Sequence, residues 1–284
     1  MSKTFLKPLA AAVIVSAFVS CLYFENPEGE PGWRTTPDQS AGPAPEFRRT
    51  VPFTPGKTLS LENDYGDVSI TGWNRAEVEV VARAATVESQ PEGSNRPYRI
   101  RKVTPEVEIL ETEQGLLVRT PTFEGAGEAP AVDYELKVPS EIVLTGIRIS
   151  EGSLTVANVF GRIEASIDQG HLAVANFSGP LRVSLGTGGA DVEVLDLRES
   201  DEVSVTTRRG DITLRLEPGV TASVEANAPH GEVTSDFDLG VRLPAPTVKG
   251  LIGRGGPSII LMTSEGRIQI LKSGGAPAAA VQAP

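Results

Sequence analysis

Residues 150 to 236 repeat one short phrase, glycine followed by alternating apolar positions. It reads Gly152-Ser153-Leu154-Thr155-Val156, then Gly170-His171-Leu172-Ala173-Val174, then Gly210-Asp211-Ile212-Thr213-Leu214. Gly189-Ala190-Asp191-Val192-Glu193-Val194 carries it with one extra residue, and Gly231-Glu232-Val233 begins it again. Apolar residues at every second position share one face of an extended strand. A second alternating strand lies between successive glycines: Ile163, Ala165 and Ile167; Leu181, Val183 and Leu185; Val203 and Val205; Ala222, Val224 and Ala226.

The glycines recur at steps of roughly 18 to 21 residues, the spacing of a repeat array. One repeat of two strands is too thin to bury its own apolar face, and stacked neighbours share a core. Glycine suits the corners, where a Cβ would obstruct the next repeat. The pattern therefore predicts an all-β fold, a parallel β-solenoid or β-roll built from two-strand repeats. The rival is an antiparallel meander closing into a sandwich, with hairpin turns at Phe160-Gly161 and Gln169-Gly170. Stacking in register predicts that Leu154, Leu172, Val192 and Ile212 are neighbours. It also predicts an outward file of Ser153, His171, Asp191, Asp211 and Glu232, with His230 at the same edge.

Residues 1–24 read as an export signal or membrane anchor: Lys3 and Lys7 precede an apolar run from Leu9 to Phe24, and acidic, proline-rich sequence follows. Cys21 is the only cysteine, so no intramolecular disulfide forms. It ends the apolar run after Phe18-Val19-Ser20, a placement that resembles a bacterial lipoprotein cleavage box and makes Cys21 the lipidation candidate. An ordinary signal and an uncleaved anchor are the alternatives; each exports the domain. Residues 25–50 read as a Pro/Gly-rich tether, with Trp33 its one odd aromatic. Residues 51–272 form the β-solenoid domain, and 273–284 a disordered Ser/Gly/Ala/Pro tail. Within the domain, the irregular part before residue 140 suits a cap, and 236–256 suits a long loop or terminal cap. Residues 258–262 and 266–270 supply a last strand pair.

Asn63-Asp64-Tyr65-Gly66-Asp67-Val68-Ser69-Ile70-Thr71-Gly72-Trp73 resembles the opening of the bacterial putative-adhesin β-helix domains, a family of unknown function. Tyr134-Glu135-Leu136-Lys137-Val138-Pro139, the glycine repeats and Thr263-Ser264-Glu265-Gly266-Arg267-Ile268-Gln269-Ile270 resemble its later landmarks, over roughly residues 57 to 272. The resemblance implies an exported surface or periplasmic β-helix and brings no catalytic residues. Ser150-Glu151-Gly152-Ser153 and Ser264-Glu265-Gly266-Arg267 depart from it, lacking the Asp that often follows the glycine.

A formal net charge of −11 argues against nucleic acid, whose phosphates require clustered Lys and Arg. Arg208-Arg209 and Arg99-Ile100-Arg101-Lys102 are the basic clusters and read as solvated edges. Gly250-Leu251-Ile252-Gly253-Arg254-Gly255-Gly256 lacks the Lys-Ser/Thr ending of a phosphate loop and reads as a loop. No cofactor motif appears. Rungs of a sheet lie about 4.8 Å apart, so His171, Asp191 and Asp211 could share a cation or do acid/base work on a glycan. The alternative is a polar, solvated face. The function expected is a non-enzymatic cell-envelope scaffold or adhesin-like interaction module, with an envelope protein or glycan as partner and the membrane reached through the N-terminal segment. The alternatives are a carbohydrate-active enzyme using the acidic file and an envelope-stress signalling protein.

Overall fold

The computed structural model describes residues 45–88, 99–121 and 129–274. Its strands are β1 (Glu46–Pro52), β2 (Thr58–Tyr65), β3 (Val68–Trp73), β4 (Glu77–Glu88), β5 (Arg99–Val103), β6 (Glu108–Glu111) and β7 (Gly115–Arg119). There follow β8 (Ala131–Pro139), β9 (Val143–Glu151), β10 (Leu154–Ala157), β11 (Ile163–Gln169), β12 (Leu172–Ser178), β13 (Leu181–Thr187) and β14 (Ala190–Asp196). The last are β15 (Glu202–Arg209), β16 (Ile212–Leu216), β17 (Ala222–Asn227), β18 (Val233–Ser235), β19 (Thr247–Ile252), β20 (Ser258–Glu265) and β21 (Ile268–Lys272). The protein is all-β: the described residues contain no helix. β1 occupies the end of the stretch expected to be tether, and β19 lies within the expected 236–256 loop.

Two large mixed sheets face each other. One runs β1-β4-β8-β3-β10-β12-β14-β16-β21-β18, with β5 also on β4; the other runs β19-β17-β20-β15-β13-β11-β9-β2-β7-β6. From β9 to β16 the chain alternates between them, and each strand pairs in parallel with the strand two further on. No hairpin forms at Phe160-Gly161 or Gln169-Gly170, because the strands on either side belong to different sheets.

Inward positions line up as files across each sheet. In the first sheet Val68, Leu154, Leu172, Ala190, Ile212 and Ile268 are successive partners, as are Ile70, Val156, Val174, Val192, Leu214 and Ile270. In the second, Leu144, Ile163, Leu181, Val203, Ile259 and Val224 form a file of the same kind. All these side chains are buried, and each fully buried Leu or Ile contributes about 1.5–3 kcal/mol relative to exposure. The file places Ala190, not Val192, beside Leu172 and Ile212. The repeat there begins at Gly188, which lies at φ 132° and donates its N–H to Arg209 O at 2.7 Å. Read from Gly188, the phrase Gly-Gly-Ala-Asp-Val has no extra residue.

A third inward file on the second sheet runs Asn63, Ile149, Ile167, Leu185, Thr207, Thr263. Its polar members are buried and satisfied. Asn63 Nδ2 donates to the carbonyls of Gly66 (3.1 Å) and Val132 (2.9 Å); Thr207 Oγ1 donates to Gly188 O at 3.1 Å and Thr263 Oγ1 to Gly210 O at 2.9 Å. A buried polar group without a partner is costly, and here each one meets a corner carbonyl.

Order in space departs from order in sequence at both ends. The β2–β3 unit lies between β7/β8 and β9/β10, and the β20–β21 unit between β15/β16 and β17/β18. Antiparallel strands then close the stack: β4 and β1 beyond β8, β6 beyond β7, and β19 beyond β17. Edge strand β1 carries exposed Arg48 and Arg49, the charged side chains that discourage pairing with another chain.

Candidate functional site

The first candidate is the corner row that follows the glycines. Backbone bonds define it: Val68 N–H donates to Ser153 O, Leu154 to His171 O, Leu172 to Gly189 O, Ala190 to Asp211 O, Ile212 to Arg267 O and Ile268 to Glu232 O, all at 2.8–3.0 Å. The row is therefore Asp67, Ser153, His171, Gly189, Asp211, Arg267, Glu232. Two expectations fail here. Asp191 stands two positions along, as the direct partner of Ala173 and Thr213, because the repeat begins at Gly188. Glu232 is separated from Asp211 by Arg267, because β21 is inserted before β18. His230 is exposed at the same end.

Asp191 still meets His171, diagonally: Nε2 lies 3.1 Å from Asp191 Oδ2, and Arg215 Nη1 lies 3.5 Å from Oδ1. A Cβ at Gly189 would sit 3.3 Å from His171 Nδ1, so both ring nitrogens lie near the β14 unit. Asp211 works elsewhere. Its Oδ1 accepts the Arg267 N–H at 2.7 Å, and its Oδ2 lies 3.6 Å from the Arg267 guanidinium. The same cap recurs where Ser153 N–H donates to Asp67 Oδ1 at 2.8 Å and Asp67 N–H to Asp133 Oδ1 at 2.9 Å. Asp67 and Asp211, each directly after a corner glycine, thus hold the corner amides of Ser153 and Arg267, and Asp133, which follows Val132, holds that of Asp67. Ser153 and Arg267, which lack that Asp, each receive the cap from the adjacent unit. Asp191 and Asp211 do not converge, and no group of three or more His, Cys, Asp or Glu is placed to hold a metal among the described residues.

The second candidate lies on the outer face of the second sheet. Ser166, Ser184 and Thr206 are successive outward partners, beside Glu164, Arg182 and Ser204. Their short side chains leave a hollow of about 460 Å³, with Arg148, Arg182 and the bulge at Gly146 on its rim. Arg148 Nη1 bonds Glu62 Oε1 and Arg182 Nη2 bonds Glu202 Oε1, each at 2.9 Å. The bond to Glu202 raises the pKa of the Arg182 guanidinium. A second hollow of about 340 Å³ adjoins it, lined by Arg162, Pro180, Asp201 and Glu202 and sharing Glu164 and Arg182. The hydroxyls and the rim of paired charges offer hydrogen bonds of both senses, and Ile147, Ala165 and Val183 contribute aliphatic lining between them. Sequence reasoning passed over these serines; their signal is small hydroxyls at outward positions of three consecutive repeats.

Of the basic clusters, Arg209 pairs with Glu265 at 3.2 Å and Lys102 is exposed. Cys21, Trp33 and the export segment 1–24 lie outside the described residues. No helix among the described residues is long and apolar enough to cross a membrane.

No family model matches the chain, and no curated protein does. Solved structures similar to it include a putative cell adhesion protein from Clostridium sporogenes, 16% identical with a TM-score of 0.44 over 81% of this chain and 100% of that one. A putative adhesin from Bacteroides fragilis is 10% identical, with a TM-score of 0.33 over 80% of this chain and 96% of its own. A putative lipid binding protein from Parabacteroides distasonis is 11% identical, with a TM-score of 0.30 and the same coverage.

Proposed function

We propose that the chain is a non-enzymatic interaction module of the cell envelope, its two-strand units wound as a flattened β-solenoid that presents a broad polar face to an envelope glycan or protein. The observation that carries this reading is the hydroxyl-floored hollow at Ser166, Ser184 and Thr206, where the outward files of three units combine into one surface. Contacts of that kind recognise by shape and hydrogen bonding. The apolar run of residues 1–24 and the Pro/Gly-rich stretch after it support export and tethering, with Cys21 the point of lipid attachment. The structural employment of Asp191 and Asp211 supports the non-enzymatic reading over glycan cleavage.

The test is capture of envelope material by the immobilised protein, wild type against Ser184→Arg, whose long side chain fills the hollow. Fractions treated with protease or with periodate separate protein from glycan partners. The reading expects capture to fall about tenfold or more, equivalent to ~1.4 kcal/mol, at unchanged thermal stability. Equal capture by both proteins overturns it.

A further inference from the structure

The last strands in sequence are not the last in space. β20 is hydrogen-bonded on both sides, with Ile259 between Val203 and Val224 and Leu261 between Val205 and Ala226. β21 is likewise held, Ile268 lying between Ile212 and Val233. The slot has its own recognition groups: Asp211 takes the Arg267 amide at 2.7 Å, Gly210 O takes the Thr263 hydroxyl at 2.9 Å, and Arg209 pairs with Glu265 at 3.2 Å. The stretch from Gly253 to Pro257 joins the β20–β21 unit to β19. Its glycines Gly253, Gly255 and Gly256 lie at φ 62°, 77° and 149°, and Gly253, Arg254 and Gly256 are exposed.

We propose that this chain takes a second copy of itself as partner by exchanging the β20–β21 unit: the unit of one copy seats between β15/β16 and β17/β18 of another, which returns its own. Every contact just named is remade in the exchanged pair, so the packing is unchanged and only the path of residues 253–257 differs. Exchange of identical elements is a low-cost route to dimers, and concentration sets the balance by mass action. The inference stands on the strand order alone and is independent of any envelope partner.

The test uses the full chain carrying Cys21→Ser, Ser204→Cys and Ile260→Cys. Residues 204 and 260 are direct partners on adjacent strands, both half-exposed, within reach of a disulfide. The protein is unfolded in denaturant, refolded over a hundredfold range of chain concentration, oxidised and run on a non-reducing gel. The expected result is a 204–260 cross-link at every concentration, with the share joining two chains rising about tenfold or more across the series. The chain carrying Cys21→Ser alone, refolded in parallel, should show the same rise in dimer by light scattering, which removes any effect of the cysteines. Cross-links confined to single chains at every concentration, or no cross-link in a folded protein, overturn the proposal.

Discussion

Thr263 Oγ1 donates to the carbonyl oxygen of Gly210 at 2.9 Å, across 53 residues of sequence and between adjacent repeats. Thr207 does the same for Gly188 one repeat earlier, and the two threonines are partners in one inward file. Valine has the shape of threonine without the donor. Thr263→Val therefore leaves the Gly210 carbonyl without this donor at a half-buried corner, at a cost of about 1 kcal/mol. Chemical denaturation of the variant reads this directly, and a midpoint equal to wild type shows that the bond carries nothing.

Asp191 and Asp211 look alike in sequence and are held by different physics. Asp191 makes an exposed hydrogen bond with His171 and an exposed ion pair with Arg215; the ion pair contributes below about 1 kcal/mol and is screened by salt. Asp211 accepts a backbone amide, a bond worth about 0.5–1.5 kcal/mol. Stability lost in Asp191→Asn should vanish at ~1 M salt, whereas the part of the Asp211→Ala loss that comes from the amide bond should persist. Identical salt responses contradict the distinction.

Tyr134 gives the domain an alkaline limit. Burial raises its pKa from the ordinary 10.0 to about 12, with the hydroxyl 2.8 Å from Thr120 Oγ1. The folded phenol keeps its proton where the unfolded one has lost it, so the unfolded state binds fewer protons and stability falls as pH rises. The fall begins near pH 10 and is complete above pH 12; two units correspond to about 3 kcal/mol. Denaturation midpoints against pH should be steeper in this window for wild type than for Tyr134→Phe. Parallel curves refute the assignment.

The facing of the strands was legible in the sequence because alternation at Leu172 and Val174, or Leu181, Val183 and Leu185, translates directly into inward side chains. Register was less so. At Gly188-Gly189-Ala190 two glycines compete for the corner, and alanine is a weak apolar marker, so the phrase read as starting one residue late. The place of β20–β21 was hidden for a different reason: its apolar pattern fits beside any repeat. What distinguishes its slot is side-chain detail, the stacking of Thr263 on Thr207 and of Arg267 on Asp211. β1 was missed because Glu46–Pro52 borders proline-rich sequence and, as an edge strand, buries little beyond Val51. The hollow was hidden because Ser166 and Ser184 alone look like any solvated positions. Its rim adds Arg148 from β9 to Arg182, which shares β13 with Ser184.

The register of the repeat makes the sharpest distinction between neighbouring residues. Gly170 lies at φ 149°, and a Cβ there would overlap the carbonyl oxygen of Gly152 in the adjacent unit. That carbonyl belongs to backbone tied into parallel ladders on both sides and has no room to retreat. Gly188 is in the same position above Gly170, whereas a Cβ on Gly189 would find its nearest atoms at 3.3 Å, the carbonyl oxygen of Asp211 and the movable ring of His171. Gly188→Ala and Gly170→Ala should each cost ~3 kcal/mol or more through strain and overpacking. Gly189→Ala should cost below about 1 kcal/mol. Thermal and denaturant unfolding of the three variants decides the matter: a severe loss at position 189 and a mild one at 188 would restore the reading in which Gly189 is the corner, and with it an outward file through Asp191.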